Sequence, residues 1–204
     1  MQINKLSLLE GAQNAKGLTV IIDVFRAFST SCYVYSNGAT RIYPVGTVEE
    51  AFKMKEKNRD FILMGERHEK KCEGFDFGNS PTHIINANFE GKSVILTTSS
   101  GTKGIANALN ADQIITGSFV NAKAIAKYII LQNPKEVTLV GMGYEGLRVT
   151  QVDEFCADYI ANAILSIKTD LEKIKTILKS GDGARLFNPE NQAHSPSSDF
   201  FLCT

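Results

Sequence analysis

The sequence predicts an α/β fold, a single domain over residues 1–204 that forms a three-layer α/β/α sandwich with a mostly parallel sheet. Several short segments are continuously apolar rather than alternating, which is typical of strands buried on both faces. Segments of helical composition separate these runs, as in a parallel sheet with helical crossovers. With 43% hydrophobic and 22% charged residues, the chain has enough apolar side chains for the core of such a fold.

The elements follow in chain order. The predicted strands are 18–23 (LTVIID), 40–45 (TRIYPV), 61–65 (FILMG), 93–98 (SVILTT), 112–117 (DQIITG) and 136–143 (EVTLVGMG). The predicted helices are 29–37, 48–58, 102–110, 120–132 and 152–167. QINKLSL at 2–8 predicts an additional edge strand that could run antiparallel to the others. The tail from Lys179 is rich in Gly, Pro, Ser and Asn and is predicted to be loop. Its Arg185 and His194 are expected on the surface, with closure over the site as the alternative.

Composition excludes several classes of protein. The formal net charge is zero, which argues against a nucleic-acid partner and against electrostatic attachment to a membrane. No segment has the composition of a signal peptide or a membrane span, so we expect a cytoplasmic protein. The four cysteines form no C-x-x-C pair, and no zinc site of the usual spacing is visible. The oligomeric state stays open, because the helix at 152–167 could bury a face against its own sheet or against a second copy.

The segment Gly65–Pro81 (GERHEKKCEGFDFGNSP) is a long polar connection between apolar segments. Long ordered loops of this kind are often binding or catalytic loops, although a solvated surface loop with paired charges has the same composition. At its end, Asn79-Ser80-Pro81 predicts a turn into a helix with Ser80 as the N-cap and Pro81 in the first helical position.

Acidic residues, arginines and turns rich in hydroxyls or glycine follow several predicted strands. Ligands of parallel sheets bind beyond the carboxyl ends of the strands, so these residues should meet at one edge. They are Asp23 and Arg26 after the first strand, Glu66, Arg67 and Asp76 after the third, Thr97–Thr102 after the fourth, and Gly141–Gly146 with Asp153 and Glu154 after the last. The sequence therefore predicts an acid-rich site for a small anion.

The turn TTSSGT at 97–102 places five hydroxyls and a glycine between a strand and a helix. Helix N-termini bind anions, and hydroxyls add hydrogen bonds to them, so the turn predicts an anion cradle; helix capping alone is the alternative. GMGYEG at 141–146 matches G-x-G-x-x-G but lies late in the chain, which favours a close-packed turn over a dinucleotide site.

These motifs together resemble the 2-phosphosulfolactate phosphatase family. The resemblance is carried by IDVFRAFSTS at 22–31, GER at 65–67, EGFDFGNSP at 73–81, TTSSGT at 97–102 and the glycine turn and acidic pair within 141–154, in that order along nearly the whole chain. It implies a magnesium-dependent hydrolase that converts 2-phosphosulfolactate to sulfolactate and phosphate, a step toward coenzyme M. Relatives commonly continue beyond the stretch DFFLC, and a shorter C-terminus could leave a pocket wall or a sheet edge open.

Roles can be placed on these positions. Magnesium prefers oxygen ligands, and the expected ligands are Asp23, Asp76, Asp153 and Glu154. The expected catalytic residues are Asp23, Arg26, Asp76 and Glu154. The expected substrate-binding residues are Arg67, Asn79, Ser80, Thr98, Ser99, Ser100 and Gly101. The nucleophile is either a water molecule or a carboxylate such as Asp23.

Three other functions remain open at this stage. A phosphatase for another phosphorylated 2-hydroxy acid would use the same residues. A non-catalytic module that binds a small anion would use the arginines and the TTSSGT turn, but it would not need the acids. A nicotinamide-dependent dehydrogenase is disfavoured by the late position of GMGYEG.

Overall fold

The computed structural model describes residues 1–204. Its strands are β1 Gln2–Ser7, β2 Gly17–Ile22, β3 Arg41–Pro44, β4 Ile62–Arg67, β5 Lys70–Lys71, β6 Ser93–Thr97, β7 Ala111–Gly117 and β8 Glu136–Gly141. Its helices are α1 Leu8–Asn14, α2 Ala27–Ser36, α3 Val48–Lys57, α4 Pro81–Ile84, α5 Gly101–Asn107, α6 Ala122–Gln132, α7 Gln151–Ile164, α8 Leu171–Ser180 and α9 Ser198–Cys203. Two 3-10 helices span Asp182–Phe187 and Pro189–Asn191.

The strands form two four-stranded sheets, in the orders β1-β8-β2-β7 and β3-β6-β4-β5. The first sheet is entirely parallel, and only β5 is antiparallel in the second. The α/β class and the mostly parallel pairing are confirmed, but the strands are divided between two sheets. The edge strand β1 runs parallel to β8, so an antiparallel orientation for it is wrong.

The antiparallel edge strand is β5 instead. The two residues between β4 and β5, His68 and Glu69, both have positive φ, at 51° and 65°. A two-residue turn of this conformation joins adjacent antiparallel strands, whereas parallel strands need a long crossover. The first part of the polar segment 65–81 is therefore a hairpin rather than an irregular loop.

The central strands of the first sheet, β2 and β8, are buried on both faces, as their continuous apolar runs predict. In β2, Leu18, Val20 and Ile22 pack into one cluster with α6, α7 and the C-terminal segment (residues 181–204), while Ile21 packs on the opposite side against α1 and α2. This two-sided burial explains why the strand does not alternate.

Helix α2 connects the cores of the two sheets. Its first residues, Ala27 and Phe28, pack in the cluster over the first sheet, and Val34 packs with Met64 and Leu96 of the second. The carboxyl ends of β2 and β8 thereby come to lie near those of β4 and β6.

The C-terminal segment is helical rather than loop. It contains both 3-10 helices and α9, and Leu186 and Phe200 are buried in the main core. Short helices of this kind carry too weak a periodicity to be recognised against a background of Gly, Pro and Ser. No helix of the structure combines the length and the apolar composition needed to cross a bilayer.

Candidate active site

A polar pocket enclosing about 370 Å³, including its open mouth, lies where the two sheets meet. Some of the residues that line it come directly after strands β2, β6 and β8 or lie at the end of β4. The others belong to the β4–β5 hairpin, to the turn before α4 and to the C-terminal segment. Together the lining residues are Asp23, Phe25, Arg26, Glu66, Glu69, Asn79, Ser99, Ser100, Gly143, Tyr144, Glu145 and Arg185. Of the residues expected at the site, the structure thus brings Asp23, Arg26, Asn79, Ser99 and Ser100 together in one pocket.

Asp23 is buried at the floor of the pocket. Its Oδ1 accepts the N–H of Ala27 at 3.1 Å and its Oδ2 accepts the N–H of Gly101 at 2.9 Å. Burial raises the pKa of Asp23 to about 6; the two N–H groups oppose this rise, and the nearby Glu66 charge adds to it. The carboxylate therefore joins the start of α2 to the start of α5.

Glu66, the penultimate residue of β4, also accepts hydrogen bonds from the TTSSGT turn. Its Oε1 accepts the N–H of Ser99 at 2.7 Å, and its Oε2 accepts the Ser99 hydroxyl at 3.1 Å. The turn thus binds anions, as an N-terminal cradle should, but in this structure the anions are the protein's own carboxylates, Glu66 and Asp23.

The remaining residues of the turn have structural contacts. Thr98 Oγ1 accepts the N–H of Thr102, and Thr102 Oγ1 accepts the N–H of Thr98, so these two cap the start of α5. The Ser100 hydroxyl lines the pocket and lies 3.0 Å from the Met142 carbonyl oxygen. Only part of TTSSGT therefore faces the pocket.

Arg26 lines the pocket and is oriented by the C-terminal segment. Its Nη1 donates to the His194 carbonyl and to Asp199 Oδ2, both at 2.7 Å. Asp199 is itself fully buried. The guanidinium is thus held in one orientation and carries a positive charge into an acidic pocket.

Arg185 is the second guanidinium of the pocket, which corrects its expected surface position. It forms an ion pair with Glu69 at the hairpin tip, donates to the Phe25 carbonyl at 3.2 Å and lies over the Tyr144 ring, 5.3 Å from its centroid. Burial and the nearby Arg26 charge lower its pKa to about 10, so it remains cationic at neutral pH. The 3-10 helix of the C-terminal segment places it there.

Asn79 is buried in the wall of the pocket, and its Oδ1 has no hydrogen-bond partner. Buried acceptors are almost always satisfied, so an isolated one in a polar pocket indicates a missing donor or cation. The neighbouring Ser80 is the N-cap of α4, as predicted, but its hydroxyl donates to Asp199 Oδ1 at 2.8 Å and it does not line the pocket.

Of the acidic pair at the start of α7, only Asp153 lies beside the pocket. Asp153 is buried beside the pocket, where its Oδ1 accepts the N–H of Val24 at 3.0 Å and its Oδ2 that of Gly143 at 2.7 Å. Burial raises its pKa to about 8, and the Asp23 charge contributes to this rise. Glu154 does not line the pocket, because its Oε1 accepts the Ser7 hydroxyl at 2.8 Å near the end of β1.

Asp76 and Arg67 also lie outside the pocket. After β5 the chain runs back along β4, so that Phe77 pairs with Met64 and the exposed Asp76 accepts the N–H of Leu63 at 2.8 Å. This position is at the opposite end of β4 from Glu66. Arg67, which points away from Glu66 along the strand, donates to Thr97 Oγ1 at 2.9 Å.

Glu66, Tyr144 and Glu145 belong to the strand-end residues that were expected at this edge, but the sequence assigned them no role. Glu69, Arg185 and the supporting Asp199 were missed altogether. Glu66 carried a usable signal, because it lies at a strand end beside Arg67. Arg185 and Asp199 carried none, since their approach to the pocket depends on how the C-terminal segment folds over the sheet.

The chain is similar to known proteins. The sequence model of the family "2-phosphosulpholactate phosphatase" matches residues 5–191. A protein of Clostridium acetobutylicum named "Probable 2-phosphosulfolactate phosphatase" is 41% identical over 155 residues, which are 75% of this chain and 65% of that protein. A protein of Clostridium perfringens with the same name is 36% identical over 186 residues, which are 86% of this chain and 74% of that protein.

The match thus spans slightly less than two thirds of the first of these relatives, at 65% of its length. The family match nevertheless includes every residue of the pocket, from Asp23 to Arg185. The chain belongs to the 2-phosphosulpholactate phosphatase family.

Proposed function

We propose that the protein is a magnesium-dependent phosphatase that hydrolyses 2-phosphosulfolactate to sulfolactate and phosphate, a step of the coenzyme M type. The observation that carries the proposal is the pocket itself, in which Arg26 and Arg185 face Asp23, Glu66 and Glu69. The family membership and the names of the relatives support the same reaction. The substrate is a small water-soluble anion, so we propose the cytoplasm as its compartment.

The charges of the pocket fit a divalent cation. Four carboxylates, Asp23, Glu66, Glu69 and Glu145, line it against two guanidiniums. A phosphate ester would be repelled by this excess of negative charge unless a cation offset it. No group of three or more His, Cys, Asp or Glu side chains is arranged to hold a metal ion, but magnesium needs only one or two protein carboxylates when water and substrate phosphate supply the rest.

Asp23, Glu66 and Asn79 are the residues that would hold magnesium. Asp23 and Glu66 are close enough for the charge of Glu66 to raise the pKa of Asp23. The unpaired Asn79 Oδ1 is an oxygen ligand of the type that magnesium prefers. When bound there, magnesium would offset negative charge on the phosphoryl oxygens.

The arginines of the pocket would bind the phosphoryl group. Guanidiniums bind phosphate oxygens bidentately and keep their charge at all physiological pH values. Arg26 is held rigidly by Asp199, whereas Arg185 is held by Glu69 at the hairpin tip. We propose that Arg26 orients the phosphoryl group and that Arg185 completes its binding as it exchanges Glu69 for substrate.

A water molecule is the proposed nucleophile. Each oxygen of Asp23 already accepts a backbone N–H, which stabilises the carboxylate and lowers its reactivity. Phosphoryl transfer depends mainly on positioning and charge stabilisation, which the fixed groups of this pocket supply. Attack by water on phosphorus breaks the bond to the ester oxygen, which takes up one proton of that water, and sulfolactate and phosphate are released.

The proposal is tested by measuring phosphate release from 2-phosphosulfolactate and from phospholactate, with magnesium and with a chelator, for the wild type, Asp23→Asn and the matched surface control Asp158→Asn. We expect magnesium-dependent release that favours the sulfonate, a loss of at least about 100-fold for Asp23→Asn and no change for Asp158→Asn. Circular dichroism establishes that the variants are folded.

Two results would replace the proposal. Release from phospholactate but not from 2-phosphosulfolactate would identify a phosphatase for another phosphorylated 2-hydroxy acid. No release from either by folded protein, with phosphate still bound, would identify a non-catalytic anion-binding module.

A further inference from the structure

A second pocket adjoins the first one behind Tyr144. It encloses about 300 Å³ and shares Phe25, Gly143, Tyr144 and Arg185 with the first pocket. Its own lining residues are Arg148, Thr150, Val152, Asp153 and Asp182. We call it the Thr150 pocket. A molecule with two charged ends could therefore have one end in each pocket.

Thr150 is the N-cap residue of α7, but its side chain makes no capping hydrogen bond. The residue is 8% exposed, and its Oγ1 is buried without any partner. An N-cap threonine normally accepts a backbone N–H of its own helix. Here the hydroxyl and the start of a 14-residue helix face the pocket together, which is the arrangement that binds an anionic oxygen.

The guanidiniums at the Thr150 pocket both lie close to the Tyr144 ring. Arg148 is 5.4 Å and Arg185 is 5.3 Å from the centroid of its ring. The Tyr144 ring thereby holds the two positive charges at the boundary between the pockets, since cations are attracted to aromatic faces.

The carboxylates of the Thr150 pocket accept hydrogen bonds from backbone N–H groups. Asp153 accepts the N–H groups of Val24 and Gly143, and Asp182 Oδ2 accepts the N–H of Val152 at 3.2 Å. Two guanidiniums thus face two carboxylates here, whereas two guanidiniums face four carboxylates in the first pocket. Of the two, the Thr150 pocket is the more favourable place for an anionic group without a cation.

We propose that the Thr150 pocket binds the distal acid group, a sulfonate or carboxylate, of a substrate whose phosphoryl group occupies the first pocket. Thr150 Oγ1 donates to one oxygen of this group, Arg148 and Arg185 bind it electrostatically, and the N-terminus of α7 adds its positive end. This assignment rests on the proposed phosphatase function. It makes Thr150 and Arg148 determinants of substrate specificity rather than of the chemical step.

The first test is binding of methanesulfonate and of acetate, followed by backbone amide shifts in ¹H–¹⁵N NMR spectra. We expect shifts at Gln151 and Val152 for the wild type. We expect affinity about tenfold weaker in Thr150→Val, because a hydrogen bond to a charged group is lost. Thr176→Val, at an exposed position of α8, is the matched control and should bind as the wild type does.

Thr150→Val is nearly isosteric, and its hydroxyl has no partner to lose, so its thermal unfolding should match that of the wild type. Arg148→Gln provides a second variant at an exposed position and should also weaken binding. Shifts confined to the first pocket, or unchanged affinity in both variants, would overturn the proposal.

Kinetics separate this inference from the proposed function. We expect Thr150→Val to raise KM for 2-phosphosulfolactate about tenfold with kcat little changed. An increase for this substrate alone assigns the sulfonate to the pocket, and an equal increase for phospholactate assigns the carboxylate. Hydrolysis with unchanged KM in both variants refutes the Thr150 pocket but keeps the phosphatase. Methanesulfonate or acetate binding at Gln151 without hydrolysis of either ester keeps the anion site but refutes the phosphatase.

Discussion

Arg26 Nη1 lies 2.7 Å from Asp199 Oδ2, and the two residues are 173 positions apart in the chain. Both side chains are almost completely buried, with 2% and 0% exposed. Asp199 Oδ1 also accepts the Ser80 hydroxyl at 2.8 Å and the N–H of Thr82 at 3.0 Å. A single carboxylate of α9 thus orients a guanidinium of the pocket and holds the start of α4.

Asp199→Asn should destabilise the protein strongly. It leaves the buried Arg26 charge without its counter-charge, which typically lowers the free energy of unfolding by about 3 kcal/mol or more. Urea denaturation at neutral pH measures the change. The control Asp158→Asn breaks an exposed ion pair with Lys5 and should change stability by less than about 1 kcal/mol. Equal effects of the two variants would contradict a structural role for the Arg26–Asp199 pair.

Gly101→Ala should damage the pocket from within α5. A Cβ at this position would lie 2.8 Å from Asp23 Oδ2 and 3.0 Å from the Phe28 ring, so Asp23 must move. We expect a loss of about 1–3 kcal/mol in unfolding free energy and a loss of phosphatase activity. In the control Gly46→Ala the nearest atom is 3.4 Å away, and both quantities should stay near the wild-type values. Full activity of folded Gly101→Ala would show that the position of Asp23 is not critical.

The central strands could be predicted from sequence because they are buried on both faces. Continuous apolar runs such as that of β2 identify parallel strands without any knowledge of their partners. The pairing of these strands could not be predicted in the same way. The division into two sheets depends on contacts between distant segments, such as Val34 of α2 with Met64 of β4, which leave no periodic signal.

The candidate site was predictable to the same extent. Asp23, Ser99 and Ser100 follow strands directly, and the topology of a parallel sheet brings such residues together. Asp76 and Arg67 also follow a predicted strand, but neither lines the pocket. Arg67 points away from Glu66 along β4, and Asp76 lies elsewhere because the chain returns along β4, where Phe77 pairs with Met64. Local sequence does not reveal that return.

Asp153 should make the stability of the protein depend on pH. Burial raises its pKa from the ordinary value of 3.8 to about 8, so the folded state binds its proton more tightly than the unfolded state does. The contribution of this protonated carboxyl to the free energy of unfolding is therefore complete below pH 3.8, and it is lost as the pH rises toward 8. Asp23, with a pKa of about 6, should act in the same direction up to that pH.

The measurement is urea denaturation between about pH 5 and pH 8 in the presence of a chelator. The wild type should lose stability over this range, and Asp153→Asn, which cannot ionise, should lose less. Subtracting the two curves removes the contribution of the titrating groups that do not interact with Asp153. Parallel curves would show that the pKa of Asp153 does not differ between the folded and unfolded states.

Glu69→Gln should increase the affinity of the pocket for inorganic phosphate. Glu69 forms an ion pair with Arg185 and lines the pocket, so its carboxylate competes with phosphate for the same guanidinium. Removing one negative charge at this distance should lower the Kd of phosphate several-fold, on the order of tenfold, at saturating magnesium. Isothermal titration calorimetry measures this Kd directly and does not depend on turnover.

The matched control Glu73→Gln removes an exposed charge of the same segment outside the pocket and should leave the Kd unchanged. Weaker phosphate binding in Glu69→Gln would mean that Glu69 positions Arg185 for the anion rather than competing with it, and the hairpin tip would then be part of the binding site in its present conformation.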